Sequence, residues 1–176
     1  MSVDIPVVLG TGRVDRKSEQ VARFVHERLL AYEAVRSTFV DVREFLVSPF
    51  TIAAWEEDRN ASKWRKIASE AAGFIFVVPE YNRGFPGEFK LLFDSAFKEY
   101  KGKPAVLVGV SDGQYGGVRV IQQLAPVLLA AHIETLGTVV ATAWVDELFQ
   151  GGIPVNETYR KFVDGALENI ITRVSK

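Results

Sequence analysis

The sequence predicts an α/β fold with a five-stranded parallel sheet covered by helices on both faces. Two observations indicate this class. Strand-like and helix-like segments alternate along the 176 residues, and the strand-like segments are short apolar runs typical of buried parallel strands. Parallel neighbours require crossover connections, which the helical segments supply. The usual order for five such strands is 2-1-3-4-5. We expect a single domain over residues 1–176.

The first half of the chain carries three predicted strands and two predicted helices. Val21, Ala22, Val25 and Leu29 fall on one helical face. The last strand of this half ends at Pro79, because proline cannot continue a hydrogen-bonded ladder. In order, the elements are the strand Ile5–Leu9, a helix after the loop Gly10–Lys17, the strand Ser37–Val42, a helix over 58–72 and the strand 73–78.

The second half begins with a strongly apolar helix face that includes Phe89 and Phe93. Pro86 has the fixed φ that suits the first turn of this helix. The remaining elements are the strand Lys103–Val110, a helix from Val118 to Leu128, the strand Glu134–Ala141 and the closing helix Tyr159–Val174. The stretch Leu46–Ser62 is long for a strand-to-helix loop and indicates either an interface or lid, or a solvated surface excursion.

Composition excludes several classes of function. The chain has no cysteine, so disulfides and thiolate chemistry are absent, and its two histidines, His26 and His132, form no recognisable metal site. A net charge of −1 gives no support to a nucleic-acid partner. The N-terminal residues lack a signal-peptide pattern, and no apolar run approaches the roughly 20 residues that span a bilayer. We expect a cytoplasmic protein without a membrane partner.

The first loop, Gly10-Thr11-Gly12-Arg13, follows a strand and precedes a helix. Glycine allows backbone to approach an oxyanion, and the helix start presents free N–H groups. Arg13 can bind a phosphate through two N–H groups. An ordinary turn with Asp15 or Ser18 as the helix cap explains the same residues. The dinucleotide fingerprint is disfavoured because Asp15 stands where it needs a third glycine.

Two further loops follow the third and fourth strands. The second is polar, aromatic and rich in glycine and proline, and runs from Pro79 to Gly84. The third runs from Ser111 to Arg119 and contains three glycines. Because carboxyl ends of parallel strands meet at one edge of the sheet, the three loops predict a single pocket there.

The tetrapeptide Pro79-Glu80-Tyr81-Asn82 matches the flavin-binding loop of NAD(P)H-dependent FMN reductases and of quinone, azo and chromate reductases. The first loop also resembles that family, since Gly10, Arg13 and Ser18 match and Thr11 replaces serine. So do Gly116, Gly117 and Arg119 of the third loop. The resemblance covers essentially the whole chain and implies a flavodoxin-like three-layer sandwich that binds FMN. Gly84 and Leu91 depart from the family pattern, which often has serine and asparagine there.

The resemblance also implies which residues bind the cofactor. Those of the first loop would hold the phosphate, those of the second would line the isoalloxazine ring, and those of the third would contact its pyrimidine edge. The residues are Gly10, Thr11, Arg13, Lys17 and Ser18; Pro79, Glu80, Tyr81, Asn82, Arg83 and Gly84; and Ser111, Asp112, Gly113, Gln114, Tyr115 and Gly116. Arg119 is interpreted either as part of this pattern or as a helix-surface charge, and Lys90 with Asp94 as a helix-surface ion pair.

The activity implied is hydride transfer from NAD(P)H to N5 of FMN, followed by reduction of a quinone, azo compound, free flavin or similar small molecule. The flavin carries this chemistry, so no catalytic side chain is predicted. Two alternatives are a flavodoxin-type electron carrier and a flavin-binding regulatory domain without reductase activity. Carriers are usually strongly acidic, whereas this chain is near neutral.

The family forms homodimers and sometimes homotetramers, and the sequence offers apolar residues for such contacts. They either form an interface between subunits or fold back onto their own core. They are Phe50, Ile52, Trp55, Trp144, Leu148 and Phe149.

Overall fold

The computed structural model describes residues 2–46 and 49–176 and contains one central parallel sheet. Its strands are β1 (Val7–Leu9), β2 (Phe39–Asp41), β3 (Phe74–Pro79), β4 (Pro104–Val110), β5 (Glu134–Thr135) and β6 (Val140–Thr142). The order is β2-β1-β3-β4-β5, and β6 pairs with the far end of β4. The predicted order 2-1-3-4-5 is therefore confirmed, with the fifth strand divided into two parts.

Helices cover both faces of the sheet. They are α1 (Ser18–Leu30), α2 (Arg59–Glu70), α3 (Gly87–Asp94), α4 (Val118–Ala130), the short α5 (Val145–Leu148) and α6 (Glu157–Val174). Two 3-10 turns lie at Val42–Glu44 and Lys98–Tyr100. A short antiparallel hairpin joins Phe149–Gln150 to Ile153–Pro154, and a parallel pairing of Val3–Asp4 with Val35–Arg36 lies before β1 and β2.

The alternation of side chains along each strand separates two cores. Val7, Leu9 and Val77 pack with α1 and α6 on one face. Val8 and Phe76 pack with α2, α3 and α4 on the other. Both faces of β3 and β4 are buried, which explains why their sequences are apolar without alternation.

Several boundaries differ from the sequence prediction. Pro79 is the last residue of β3, paired in register with Val110, rather than the residue at which the strand has stopped. Pro86 has the expected φ of −62°, but its ψ of 146° places it just before α3 and not in the first turn. Residues 136–139 interrupt the predicted strand Glu134–Ala141.

Candidate functional site

A cavity of about 230 Å³ lies where β1, β3 and β4 end, as the topology predicts. We call it the three-loop cavity. Its lining residues come from the first loop and the start of α1, from the end of β3, from the end of β4 and from the start of α5. They are Arg13, Asp15, Lys17, Ser18, Pro79, Glu80, Tyr81, Val110, Ser111, Asp112 and Val145. The three predicted loops therefore meet at one site.

Hydrogen bonds tie the first loop to its neighbours. Thr11 is buried, and its Oγ1 lies 3.1 Å from the hydroxyl oxygen of Tyr81 in the second loop. The same Oγ1 accepts from the backbone N–H of Arg13 at 3.3 Å. Glu88, in the first turn of α3, accepts from the backbone N–H of Gly12 at 3.2 Å. These bonds fix the loop's backbone next to Tyr81.

Arg16 stabilises the backbone of the first loop, and its charge is paired with carboxylates instead of facing the cavity. It is buried, donates to the Thr11 carbonyl at 2.5 Å and forms ion pairs with Asp41 and Glu19. Burial raises the pKa of the Asp41 carboxyl, but the hydrogen bonds from Arg16 and from the Arg43 backbone, together with the charges of both arginines, bring the pKa below its ordinary value. Asp41, the last residue of β2, thus pairs with an arginine of the first loop.

Arg13 and Lys17 supply the exposed positive charge. The guanidinium carbon of Arg13 lies 5.9 Å from the centroid of the Tyr81 ring. Lys17 Nζ lies 2.8 Å from Asp146 Oδ1, and this hydrogen bond raises the pKa of Lys17. Both side chains line the three-loop cavity at the start of α1.

The start of α1 offers unused hydrogen-bonding groups. Ser18 Oγ is buried and has no hydrogen-bond partner among the described residues. Lys17, which precedes the helix, makes no capping side-chain hydrogen bond. The residues that precede α3 and α4 make none either, whereas Asp58 caps α2 and Asn156 caps α6. A bound anion would therefore satisfy groups that the chain itself leaves unpaired.

The second loop divides into a wall and an exposed turn. Glu80 and Tyr81 line the cavity, and Tyr81 exchanges two backbone hydrogen bonds of 2.9 Å with Gly84. Asn82 and Arg83 form the turn between them with φ of 50° and 69°, the backbone of a tight hairpin turn. The turn residues and Gly84 are not among the cavity-lining residues, so their contact with a cofactor stays a prediction.

The glycines of the third loop approach the chain's own backbone. A Cβ on Gly117 would lie 2.5 Å from the nitrogen of Val110, and one on Gly116 would lie 2.9 Å from the nitrogen of Ala143. Both have positive φ. Gly10 is similar, since a Cβ there would lie 3.0 Å from Phe89. These close approaches are within the fold, so their predicted role in admitting a ligand has no support from the geometry.

The rest of the third loop faces the cavity or its rim. Ser111 and Asp112 line the cavity, and Ser111 Oγ donates to the carbonyl of Gly113 at 3.0 Å. Gln114 and Tyr115 are exposed. Arg119, at the start of α4, donates to Glu80 Oε1 at 3.2 Å, so it joins the third loop to the second.

Three cavity residues were not assigned to the site from the sequence. Asp15 was considered only as a helix cap or as the missing third glycine, and its φ of 52° is the kind of conformation that glycine usually adopts. Val110 could be inferred as the last residue of its strand. Val145 follows the divided fifth strand, and no motif marks it.

The histidines lie outside the three-loop cavity. His26 contacts the carbonyl of Ser37 at 3.3 Å, and His132 is exposed with its ring beside Phe97. Within residues 2–46 and 49–176, no group of three histidine, cysteine or acidic residues could hold a metal ion. Lys90 and Asp94 form the predicted helix-surface ion pair, with 2.5 Å between Nζ and Oδ2.

Comparison with known proteins decides the family. The family described as NADPH-dependent FMN reductase matches residues 3–145, which include all three loops. The chain belongs to this family. It is 26% identical over 151 residues to the NAD(P)H-dependent FMN reductase LOT6 of Saccharomyces cerevisiae, covering 77% of this chain and 78% of that protein. It is 30% identical over 118 residues to a quinone reductase of Pseudomonas putida, covering 64% of this chain and 62% of that protein.

Solved structures confirm the flavodoxin-like fold. FerB, a flavoenzyme NAD(P)H:(acceptor) oxidoreductase from Paracoccus denitrificans, superposes with a TM-score of 0.81 at 19% identity, over 98% of this chain and 97% of that one. An oxidoreductase from Corynebacterium diphtheriae gives 0.79 at 16% identity, over 99% and 98%. At such low identities these likenesses show the fold alone.

Membership of this family confirms the predicted class of protein. The chain is an NAD(P)H-dependent flavin oxidoreductase, with FMN as cofactor and NAD(P)H as co-substrate. The start of α1 fits the phosphate of that cofactor: Ser18 Oγ has no hydrogen-bond partner among the described residues, no side chain caps the helix, and Arg13 and Lys17 lie in the cavity lining. No helix in the described part of the chain is long and apolar enough to cross a membrane.

Proposed function

We propose that this chain binds FMN in the three-loop cavity and uses NAD(P)H to reduce a small quinone-type acceptor. One observation carries the proposal. All three loops line a single cavity, and its lining includes Ser18, whose buried hydroxyl has no hydrogen-bond partner within residues 2–46 and 49–176. Quinones are the preferred acceptor class because the Pseudomonas putida relative is a quinone reductase. Azo compounds and free flavin are the other candidate acceptors.

The side chains bind and orient the cofactor. Arg13, Lys17, Ser18 and the first-turn N–H groups of α1 would hold the phosphate. Tyr81, fixed by its hydrogen bond with Thr11, would form a wall of the ring slot. The two-electron chemistry, which is hydride uptake from NAD(P)H and electron transfer to the acceptor, belongs to FMN when it is bound. The protein therefore needs no catalytic acid or base.

A reduction experiment tests this function. The purified protein is reconstituted with FMN, its visible spectrum is recorded, and NADH or NADPH is added without oxygen. We expect flavin bands that either nucleotide bleaches and that return when a benzoquinone, an azo dye or free FMN is added. Failure to bind FMN would reject the proposal. Bound flavin that neither nucleotide bleaches would favour the one-electron carrier instead.

An apolar groove supports the further proposal of a homodimer. The groove measures about 650 Å³ and lies between the 51–55 segment, α3 and α4. Trp55 and Phe97 line it and are 87% and 53% exposed. Of the other apolar residues proposed for contacts, Phe149 is buried in its own core, which bears out the alternative reading for that residue. An exposed groove of this kind is typical of an interface.

The expectations about domain organisation, cellular location and nucleic-acid binding stay predictions. We propose that residues 1–176 fold as one domain, that the protein acts in the cytoplasm and that it has no nucleic-acid partner, the last because the net charge is −1. Cell fractionation and a mobility-shift assay with duplex DNA and RNA would test location and nucleic-acid binding. Enrichment with membranes or a shifted band at physiological salt would contradict them.

A further inference from the structure

One ion pair joins a wall of the three-loop cavity to the helix that follows the third loop. Glu80 follows β3, and its side chain is only 10% exposed. Arg119, at the start of α4, donates from one terminal guanidinium nitrogen to Glu80 Oε1 at 3.2 Å. The guanidinium carbon also lies 4.1 Å from the centroid of the Tyr115 ring, so the arginine is held against the third loop.

Arg119 is the side chain that pairs with Glu80 among the described residues. Its second carboxylate oxygen, Oε2, is buried and has no hydrogen-bond partner among the described residues. Arg119 is also its one ion-pair partner in that part of the chain. A carboxylate with nine-tenths of its surface buried is costly to leave uncompensated, and the cost falls on the structure that holds it. Loss of Arg119 would therefore push Glu80 towards solvent and move the second loop.

The second loop also contacts the first loop and the end of β4. Tyr81 is tied to the first loop through Thr11, and the backbone N–H of Glu80 donates to the carbonyl of Val110 at 2.9 Å. Among the described side chains, the contact between Glu80 and Arg119 is thus the ion pair that links the second loop to the helix following the third. It acts beside the backbone hydrogen bond from Glu80 to Val110, which joins the ends of β3 and β4.

We propose that Arg119 is a positioning residue that acts through Glu80 to hold the second and third loops at the separation FMN requires. The proposal rests on the proposed function of the cavity. It has two consequences. Without Arg119 the slot is less well formed, so FMN binds more weakly. An uncompensated carboxylate in the cavity lining would also disfavour electrons added to FMN held there, so the reduction potential of bound FMN would become more negative.

Three variants separate this role from a general loss of structure. Arg119→Gln leaves a buried unpaired carboxylate, and we expect the dissociation constant of FMN to rise about tenfold. In Glu80→Gln the amide oxygen still accepts from Arg119 and no buried charge remains, so a rise of less than about threefold is expected. The double variant should bind FMN better than Arg119→Gln alone, because it removes the unpaired charge.

The measurements are quenching of flavin fluorescence by the apoprotein, which gives the dissociation constant, and dye equilibration, which gives the reduction potential. The potential should become more negative in Arg119→Gln and return towards the wild-type value in the double variant. A matched control is Arg173→Gln, which breaks an exposed pair with Glu134 far from the cavity. It should change neither quantity. Thermal melts of each apoprotein verify that the variants are folded.

The outcomes distinguish the two proposals. A wild-type chain that takes up no FMN would overturn the proposed function. A wild-type chain that binds FMN, with Arg119→Gln unchanged in affinity and potential, would overturn only the positioning role. A double variant as impaired as Arg119→Gln would also overturn it, because Arg119 would then act by a route that does not include Glu80.

Discussion

Four arginines around the three predicted loops have different surroundings and therefore different roles. Arg16 is buried and neutralised by Asp41 and Glu19. Arg43 donates from Nε to the carbonyl of Gly12 at 3.0 Å and holds the loop from outside. Arg119 pairs with Glu80. Arg13 has no ion pair among the described residues and lines the cavity. It is the arginine of this group most available to a phosphate.

At the residue scale, Arg13→Ala should weaken FMN binding about tenfold or more, because it removes charge-assisted hydrogen bonds to the phosphate. The measurement is titration of the apoprotein with FMN, followed by flavin fluorescence. Riboflavin, which lacks the phosphate, should bind the variant and the wild type equally.

Arg28→Ala is the control for this prediction, since Arg28 pairs with Asp164 away from the cavity. It should leave FMN affinity unchanged. If Arg13→Ala weakened riboflavin as much as FMN, the side chain would act on the ring or on the fold, and its assignment to the phosphate would be wrong.

At the element scale, the third loop depends on a close approach to the sheet. Gly117 has φ of 78° and no room for a Cβ beside Val110, which lies in β4. Gly117→Ala should therefore destabilise the fold by about 2 kcal/mol or more, from backbone strain together with steric overlap. Urea unfolding, monitored by circular dichroism, measures the change.

Gly137→Ala provides the comparison, because a Cβ at Gly137 would meet nothing within 4 Å. This variant should lie within about 0.5 kcal/mol of the wild type. Equal stability of the two variants would show that the third loop can shift away from β4 at little cost.

The sequence predicted elements and loops more completely than contacts. The order of the strands follows from alternation and from the rules for parallel crossovers, and the loops follow from the strand ends. The Pro79–Asn82 tetrapeptide identified the family. The sequence could not reveal which side chains pair when they are far apart along the chain, such as Arg16 with Asp41 or Arg119 with Glu80. A glycine in a loop is compatible both with room for a ligand and with close packing inside the fold, and the sequence alone does not distinguish these two roles.

At the scale of the whole molecule, the apolar groove predicts association. A double variant, Trp55→Ser with Phe97→Ser, should sediment as a monomer while the wild type sediments as a dimer, because it removes two exposed aromatic contacts. Analytical ultracentrifugation over a range of concentrations measures the change.

Phe162→Ser is the matched control, since Phe162 is 61% exposed on α6 and does not line the groove. It should leave the dimer intact. A wild-type protein that stays monomeric at every concentration would contradict the interface, and a dimeric double variant would place the interface on another face.

The starts of α1, α3 and α4, which no side chain caps, link the stability of the protein to cofactor binding. All three helices begin at the edge of the sheet that holds the three-loop cavity, where their first N–H groups have no capping side chain. A ligand that binds only the native state stabilises it in proportion to the logarithm of its concentration over Kd. Chains made when FMN is scarce should therefore melt at lower temperature and be cut more readily by proteases than chains that hold FMN.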